Sequence, residues 1–359
     1  MPRHAIHSTF TGHMPTCAFL SFRLGVPDGV SIVAGSWRRC FSTLGWETIT
    51  IAGEGPVDRV IPWLAIDTKL APDAAELESA LDGVDVVVVE NLLTIPLNLP
   101  ASRATMEVLR GRPAILHHHD PPWQRERFAH VTELPPTDPS WLHVTINKMT
   151  EREFAVRGIS TTTILNGFDV PNTLGDRRST REALGLGDDD ILVAHPVRAI
   201  ARKNISMAIG LAERLGATYW LTGQPDEGYD DVLERLFLSA RCPIIHRSVA
   251  DVGVAIDDLY AAADIIAFPS TWEGFGNPLI EAAMHLRPVA VGSYPVLDEL
   301  QELGLRWIPI EDFRAIRAEI DEPDMVRRRQ NRKIAEHELS MEALRGRLEA
   351  LLDQAGWTP

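Results

Sequence analysis

The sequence predicts an α/β protein made of two doubly wound, Rossmann-like domains facing a central cleft. Three observations carry this reading. Short apolar runs alternate with amphipathic stretches, the alternation occurs twice, and one polar lapse separates the two series. A chain of 359 residues suits two domains of about 150 residues each.

In the first series Cys17–Phe22 reads as a buried strand. The loop RLGVPDG follows, and then Val30, Val33, Trp37, Cys40, Phe41 and Leu44 recur at helical spacing. Thr48–Ile51 is a second strand. Val84–Val89 is a β-branched run of the kind a parallel strand shows when both faces are covered. Ala114–His117 and His143–Ile146 read alike, with helices near Ala101–Arg110 and Thr150–Arg157. Asn166–Asp190 is rich in Gly and Asp and reads as the connection between domains. Alternation resumes with strands at Ile191–His195, Tyr219–Leu221, Pro243–His246, Ile265–Phe268 and Val289–Val291. Helices are expected at Ile205–Leu215, Leu259–Ala263 and Pro278–Leu286, and the charged tail Asp321–Gln354 reads as helical. We assign residues 1–168 to the first domain and 169–339 to the second.

Composition narrows the function classes. The net charge of -15 argues against a nucleic-acid partner and against general attraction to anionic lipid. Arg38 and Arg39 flank Trp37 and Phe41 on an amphipathic stretch, a pattern that snorkelling on a core-facing helix accounts for, so peripheral membrane contact is not expected. Cys17, Cys40 and Cys242 are odd in number and form no CxxC pair, which disfavours a disulfide framework or zinc site. The N-terminus shows no apolar core of signal-peptide length, and no run reaches membrane-span length. A cytoplasmic location is expected.

Ligands of doubly wound sheets sit beyond the carboxyl ends of the strands, so the loops there carry the search. The most informative segment is STWEGFGNPLIEAAMHLRPV, Ser270–Val289. It follows the strand IIAF and opens a helix in which Pro278 suits the first turn. Gly274 and Gly276 permit a tight turn and a close backbone approach, and a helix start favours an anion. Glu273 and Glu281 stand on either side of that turn, and a carboxylate accepts well from vicinal hydroxyls. A second segment, His195–Asn204, places Arg198, Arg202 and Lys203 after a strand, where they suit a diphosphate. A third, ILHHHDPPWQRERF, ends a strand in His117, His118, His119 and Asp120. Successive residues on an extended chain point to opposite faces, so the three histidines do not read as one metal site.

The Ser270–Val289 segment resembles the E-x7-E signature of retaining family 4 (group 1) glycosyltransferases of the GT-B fold. That resemblance implies that Glu273, Phe275, Gly276, Asn277 and Pro278 line the donor sugar and diphosphate, and that Glu281 binds ribose. Arg198 and Lys203 match the family's diphosphate-binding pair in spacing, with Arg202 beside them. Val197 and Asn204 stand where glycine is frequent in the family. The resemblance also implies a strand-ending histidine near the donor sugar, which His119, followed by Asp120, matches best, with His118 the alternative. Gly29 and Ser31, in the first strand-to-helix region, are donor candidates. Asn91 and Asp120 are acceptor candidates, although Asn91 also suits helix capping. The last helix, about 340–359, is implied to pack back on the first domain.

The implied activity is transfer of a hexose, with retention, from a nucleotide-diphosphate sugar of the GDP-mannose or UDP-glucose type to a hydroxyl acceptor, small and soluble. Catalytic roles fall to His119, Arg198, Lys203 and Glu273. No tightly bound cofactor and no metal are expected, because Asp188, Asp189 and Asp190 precede their strand rather than follow it. A GT-B phosphorylase, a nucleotide-sugar epimerase of the same fold and a non-catalytic sugar-nucleotide-binding protein are the alternatives.

Overall fold

The computed structural model describes residues 14–26 and 28–359. Two compact units result: Met1–Gly167 together with Met341–Pro359, and Phe168–Ser340. Each is built on one parallel sheet.

The first unit holds β1 (Thr16–Arg23), α1 (Gly29–Thr43), β2 (Glu47–Glu54), β3 (Arg59–Val60), α2 (Ala74–Ala80), β4 (Val86–Glu90), α3 (Leu99–Leu109), β5 (Ala114–His118), β6 (Trp141–Thr145), α4 (Lys148–Val156) and β7 (Thr162–Thr163). Its strand order is β3-β2-β1-β4-β5-β6-β7. The period-2 alternation of a strand sorts the apolar side chains into two clusters. Cys17, Phe19, Val86, Val88 and Ile115 lie in one, with Trp37 and Phe41 of α1. Ala18, Leu20, Val87, Val89 and Leu116 lie in the other, with Leu77 of α2 and Val108 of α3. Burial on both faces explains why β4 is a continuous β-branched run.

The second unit opens with α5 (Arg177–Ala183), β8 (Leu192–His195), α6 (Ile205–Leu215), β9 (Thr218–Leu221), α7 (Asp230–Ser239), β10 (Ile244–His246), α8 (Val249–Val252) and α9 (Ile256–Ala262). It continues with β11 (Ile265–Phe268), α10 (Asn277–Met284), β12 (Val289–Val291), α11 (Leu297–Glu302), β13 (Ile308–Pro309), α12 (Phe313–Asp321) and α13 (Met325–Glu338). The strand order is β10-β9-β8-β11-β12-β13. In both sheets the chain winds outward in both directions from its first strand, so the loops after β1 and β4, and after β8 and β11, diverge at a switch point.

The polar stretch Asn166–Asp190 is more than a connection. Arg181 of α5 is 2% exposed and donates to the carbonyls of Gly187, Asp190 and Ala262 and to the Asp264 carboxylate. A buried guanidinium with that many acceptors fastens the stretch into the second unit, which hydrophobic periodicity does not register. The charged tail is likewise two helices. α13 ends at Glu338, and α14 (Met341–Ala355) belongs to the first unit. Leu344, Leu348, Leu351 and Leu352 of α14 join the cluster around Trp37 and Phe41. Gly167 is required there, because a Cβ would stand 2.6 Å from that of Leu344.

Leu348 is fully buried in this seam. Leu348→Ala is expected to destabilise the first unit by about 2–5 kcal/mol, read by urea denaturation; an unchanged midpoint would mean that α14 does not anchor the cluster.

Candidate functional site

The second unit's switch point gathers three charged side chains. β8 and β11 are hydrogen-bonded neighbours, with Val193 opposite Ile265 and Ala194 opposite Ile266. The loops that leave them therefore start side by side. After β8 a single turn of 3-10 helix, Ala201–Lys203, ends at Asn204, whose φ of 51° turns the chain into α6. This turn aims Arg202 and Lys203 at the loop after β11. Lys203 donates to Glu273 Oε1 at 2.5 Å. Arg202 donates to Glu273 Oε2 at 2.9 Å and to the Trp272 carbonyl at 2.9 Å.

Lys203 and Glu273 are both buried. Burial opposes the charge on Glu273, but the two cations outweigh it and hold its carboxyl below the usual range. Burial is also the main influence on Lys203. With repulsion from Arg202 and Arg198, and against the attraction of Glu273, it lowers the ammonium pKa to about 8. Two cations and one carboxylate leave this trio, of which Lys203 and Glu273 are buried, one positive charge in excess, which suits an anion. Arg198, which spacing pairs with Lys203, instead bonds Asp226 at 2.5 Å and is more than a third exposed. It lies close enough to bear on the charge of Lys203 without joining the trio.

The turn before α10 depends on Gly276. Its φ is 103°, and a Cβ there would meet the Tyr294 hydroxyl at 2.4 Å. Asn277 and Pro278 then begin the helix. The Phe275 ring is not presented to a ligand. It is buried and stacks on Phe168, with centroids 6.1 Å apart, while its carbonyl accepts from Tyr294. Its backbone is what remains to line a site. One turn into α10, Glu281 Oε2 accepts from Tyr260 at 2.5 Å. Burial raises the Glu281 pKa, against the hydrogen bond and the His285 charge, which lower it.

In the first unit β4 and β5 are paired with Glu90 opposite His117. Alternation puts His117 and His119 on one side and His118 on the other. Glu90 Oε2 lies 2.7 Å from His119 Nε2 and 2.9 Å from His117 Nδ1. The histidines hold the Glu90 pKa at about 2 despite full burial, the largest opposing influence. Burial keeps the pKa of His117, which stacks on Trp37, below the ordinary value. His118 is a core residue. Its Nδ1 lies 2.7 Å from the Thr94 hydroxyl and its Nε2 3.0 Å from His143 Nδ1, and burial pushes its pKa well down. Of the two histidines offered by the motif, His119 is the one that lies beside a carboxylate, and it is buried at 6% exposure.

Among the described residues, Glu90, His117 and His119 are the group that could hold a metal ion, with ligand atoms within 4.8 Å of one another. The alternation that separates His118 thus brings the other two histidines together, and a neighbouring strand adds a carboxylate that the run of three histidines does not reveal. Asn91 is not a helix cap. With φ at 60° it sits in a turn, its Oδ1 accepts from the His119 and Asp120 amides, and its amide donates to Asp120. It clamps the end of β5. Asp120 also pairs with Arg125 at 2.5 Å. Gly29 is the first residue of α1, where among the described residues a Cβ would meet nothing within 4 Å, and the buried Ser31 Oγ has no hydrogen-bond partner among them. Asp188, Asp189 and Asp190 are exposed at the start of β8, opposite the end that carries the trio.

Residues 196–321 match the family model described as glycosyl transferases group 1. The chain is similar to the mannosylglucosylglycerate synthase of Thermotoga maritima, 24% identical over 365 residues, covering 82% of this chain and 84% of that one. It is 33% identical over 141 residues to the D-inositol 3-phosphate glycosyltransferase of Mycobacteroides abscessus, covering 37% of this chain and 32% of the relative. Among solved structures, Anabaena HepE in complex with UDP and glucose superposes with a TM-score of 0.73 at 20% identity, over 95% of this chain and all of that one.

Gly276→Ala is expected to cost on the order of 1–3 kcal/mol from backbone conformation alone, before the Tyr294 clash is relieved. A wild-type melting temperature for this variant would show that the turn before α10 does not need glycine.

Proposed function

We propose that this chain, a group 1 glycosyltransferase of the GT-B fold, transfers a hexose from a GDP-mannose- or UDP-glucose-type donor to a hydroxyl of a small, soluble acceptor, with retention of anomeric configuration. The observation that carries this reading is the Arg202–Glu273–Lys203 trio at the switch point. Departure of a nucleoside diphosphate builds negative charge on the leaving group, and preorganised cations at that place are the largest contribution a protein can make. Lys203 and Arg202 supply it, Arg198 adds to the local field, and the start of α10 favours an anion. Glu273 holds both cations in the free protein and addresses the donor sugar with its remaining lone pairs. Glu281 receives the ribose hydroxyls. In the first unit, Glu90 fixes the ring of His119 for its contact with the donor sugar.

Retention is what the resemblance implies, and the state of the Glu273 carboxylate bears on the route by which it would be reached. Both oxygens of Glu273 already accept from cations, which makes it a poor nucleophile. Attack on the same face as the leaving group, with a departing phosphate oxygen taking the acceptor proton, needs no such nucleophile. The small acceptor is supported by the relatives' names, since mannosylglucosylglycerate, the product one is named for, and D-inositol 3-phosphate, named in the other, are small and polar. Among the described residues no helix is long and apolar enough to cross a membrane. A thermal-shift screen of nucleotide sugars identifies the donor, because a ligand at 100 times its dissociation constant stabilises by about 2.7 kcal/mol. Free nucleoside diphosphate together with a new glycoside then separates transfer from epimerisation and from binding alone.

Lys203→Ala removes a charge-assisted contact from a desolvated site and is expected to lower turnover by roughly 30-fold or more, the equivalent of about 2–5 kcal/mol. With its pKa near 8 in the free protein, Lys203 is charged below that pH and neutral above it. Wild-type affinity for the nucleoside diphosphate should therefore fall as pH rises through about 8, and Lys203→Arg should flatten that fall. Near-normal turnover in Lys203→Ala, or a pH profile that Lys203→Arg leaves unchanged, would remove Lys203 from the role. Because fixed cations occupy the diphosphate position, activity should persist in excess EDTA; complete loss, restored by Mg²⁺ or Mn²⁺, would transfer the role to a metal.

A further inference from the structure

Glu281 is held from one side only. Tyr260 is fully buried and donates its hydroxyl to Glu281 Oε2 at 2.5 Å. No described residue donates to Oε1, and the side chain is only partly buried. The phenol is itself braced. Its ring stacks on His285, with centroids 4.8 Å apart and planes 20° from parallel. His285 donates from Nδ1 to the Glu281 carbonyl at 2.7 Å, and its Nε2 lies 3.0 Å from Asp257 Oδ1. α9 and α10 thus lock one carboxylate oxygen and leave the other open. Burial also holds the Tyr260 hydroxyl well above its ordinary pKa, so it remains a donor.

A carboxylate free to rotate would spend entropy on each bound diol, and a buried carboxyl without a donor would drift toward its protonated form, a poorer acceptor. The phenol reduces both costs. We propose that Tyr260 is the positioning residue for ribose recognition: it fixes Glu281 so that Oε1 and the second lone pair of Oε2 meet the vicinal ribose hydroxyls, and so sets the preference for ribo- over deoxyribonucleotide donors. This rests on the assignment of Glu281 to ribose. Tyr260 does not touch the ligand in this account; its effect passes through Glu281.

The test is calorimetry with whichever of UDP and GDP binds, and with its 2′-deoxy and 3′-deoxy analogues. The wild type should bind the ribonucleotide about 10- to 100-fold more tightly than at least one deoxy analogue, the size expected for a hydrogen bond to a charged group. Tyr260→Phe keeps the ring stack and removes one oxygen. It should weaken ribonucleotide binding roughly 5- to 20-fold, less than loss of the acceptor itself, and leave that deoxy analogue unaffected. Glu281→Ala should abolish the preference, and the double variant should be no weaker than Glu281→Ala. Equal weakening of both nucleotides by Tyr260→Phe, or no change in either, overturns the inference while the ribose assignment stands. A ribose preference that is absent from the wild type, or that survives Glu281→Ala, overturns the assignment and the inference together.

Discussion

The second unit is organised around a buried imbalance of charge. Arg202 and Lys203 share the single carboxylate of Glu273, and the pair Lys203–Glu273 is almost fully withdrawn from water. Withdrawing ions from water is expensive, and such a cluster persists only where geometry is good and partners are close. The adjacency of β8 and β11 supplies that geometry. The excess cation suits the site to an anion, and burial lowers the pKa of Lys203. Phe268 adds a π face 5.2 Å from the ammonium. A diphosphate that arrives there completes a network that is one negative partner short.

The first unit applies the same strand-neighbour logic. Glu90, fully buried at the end of β4, lies against His117 and His119 at the end of β5. Asn91, the next residue, clamps the backbone of His119 and Asp120. The ends of β4 and β5 are therefore cross-braced by side chain and main chain, and His119 sits in a preorganised frame.

Much of the fold is legible in the sequence because the sheets are parallel and covered on both faces. Ile265–Phe268 and Val86–Glu90 announce themselves by composition. The helix after Gly276 is equally plain, since glycine at positive φ followed by proline in the first turn has few other uses. What composition hides is register. Glu90 reads as one acid after a strand, and only the pairing of β4 with β5 delivers it to His119. Tyr260 reads as a core tyrosine of α9, and its bond to Glu281 spans 21 positions with no local signal. Helices α2, α7, α11 and α12 escape the apolar periodicity because their buried stripe is thin; α7 buries Leu233 alone and α2 Leu77 alone. Arg198 and Phe275 match the motif by spacing, yet one pairs with Asp226 and the other packs on Phe168.

The central claim is that Lys203 and Arg202, braced by Glu273, hold the terminal phosphate of a nucleoside diphosphate. Calorimetry of the nucleoside diphosphate against the matching monophosphate, in the wild type and in Lys203→Met, tests it most directly. The account predicts a wild-type preference for the diphosphate of about 2–5 kcal/mol, the size of a desolvated charge pair, most of which disappears in Lys203→Met while monophosphate affinity holds. Equal preference for the diphosphate in both proteins would contradict it.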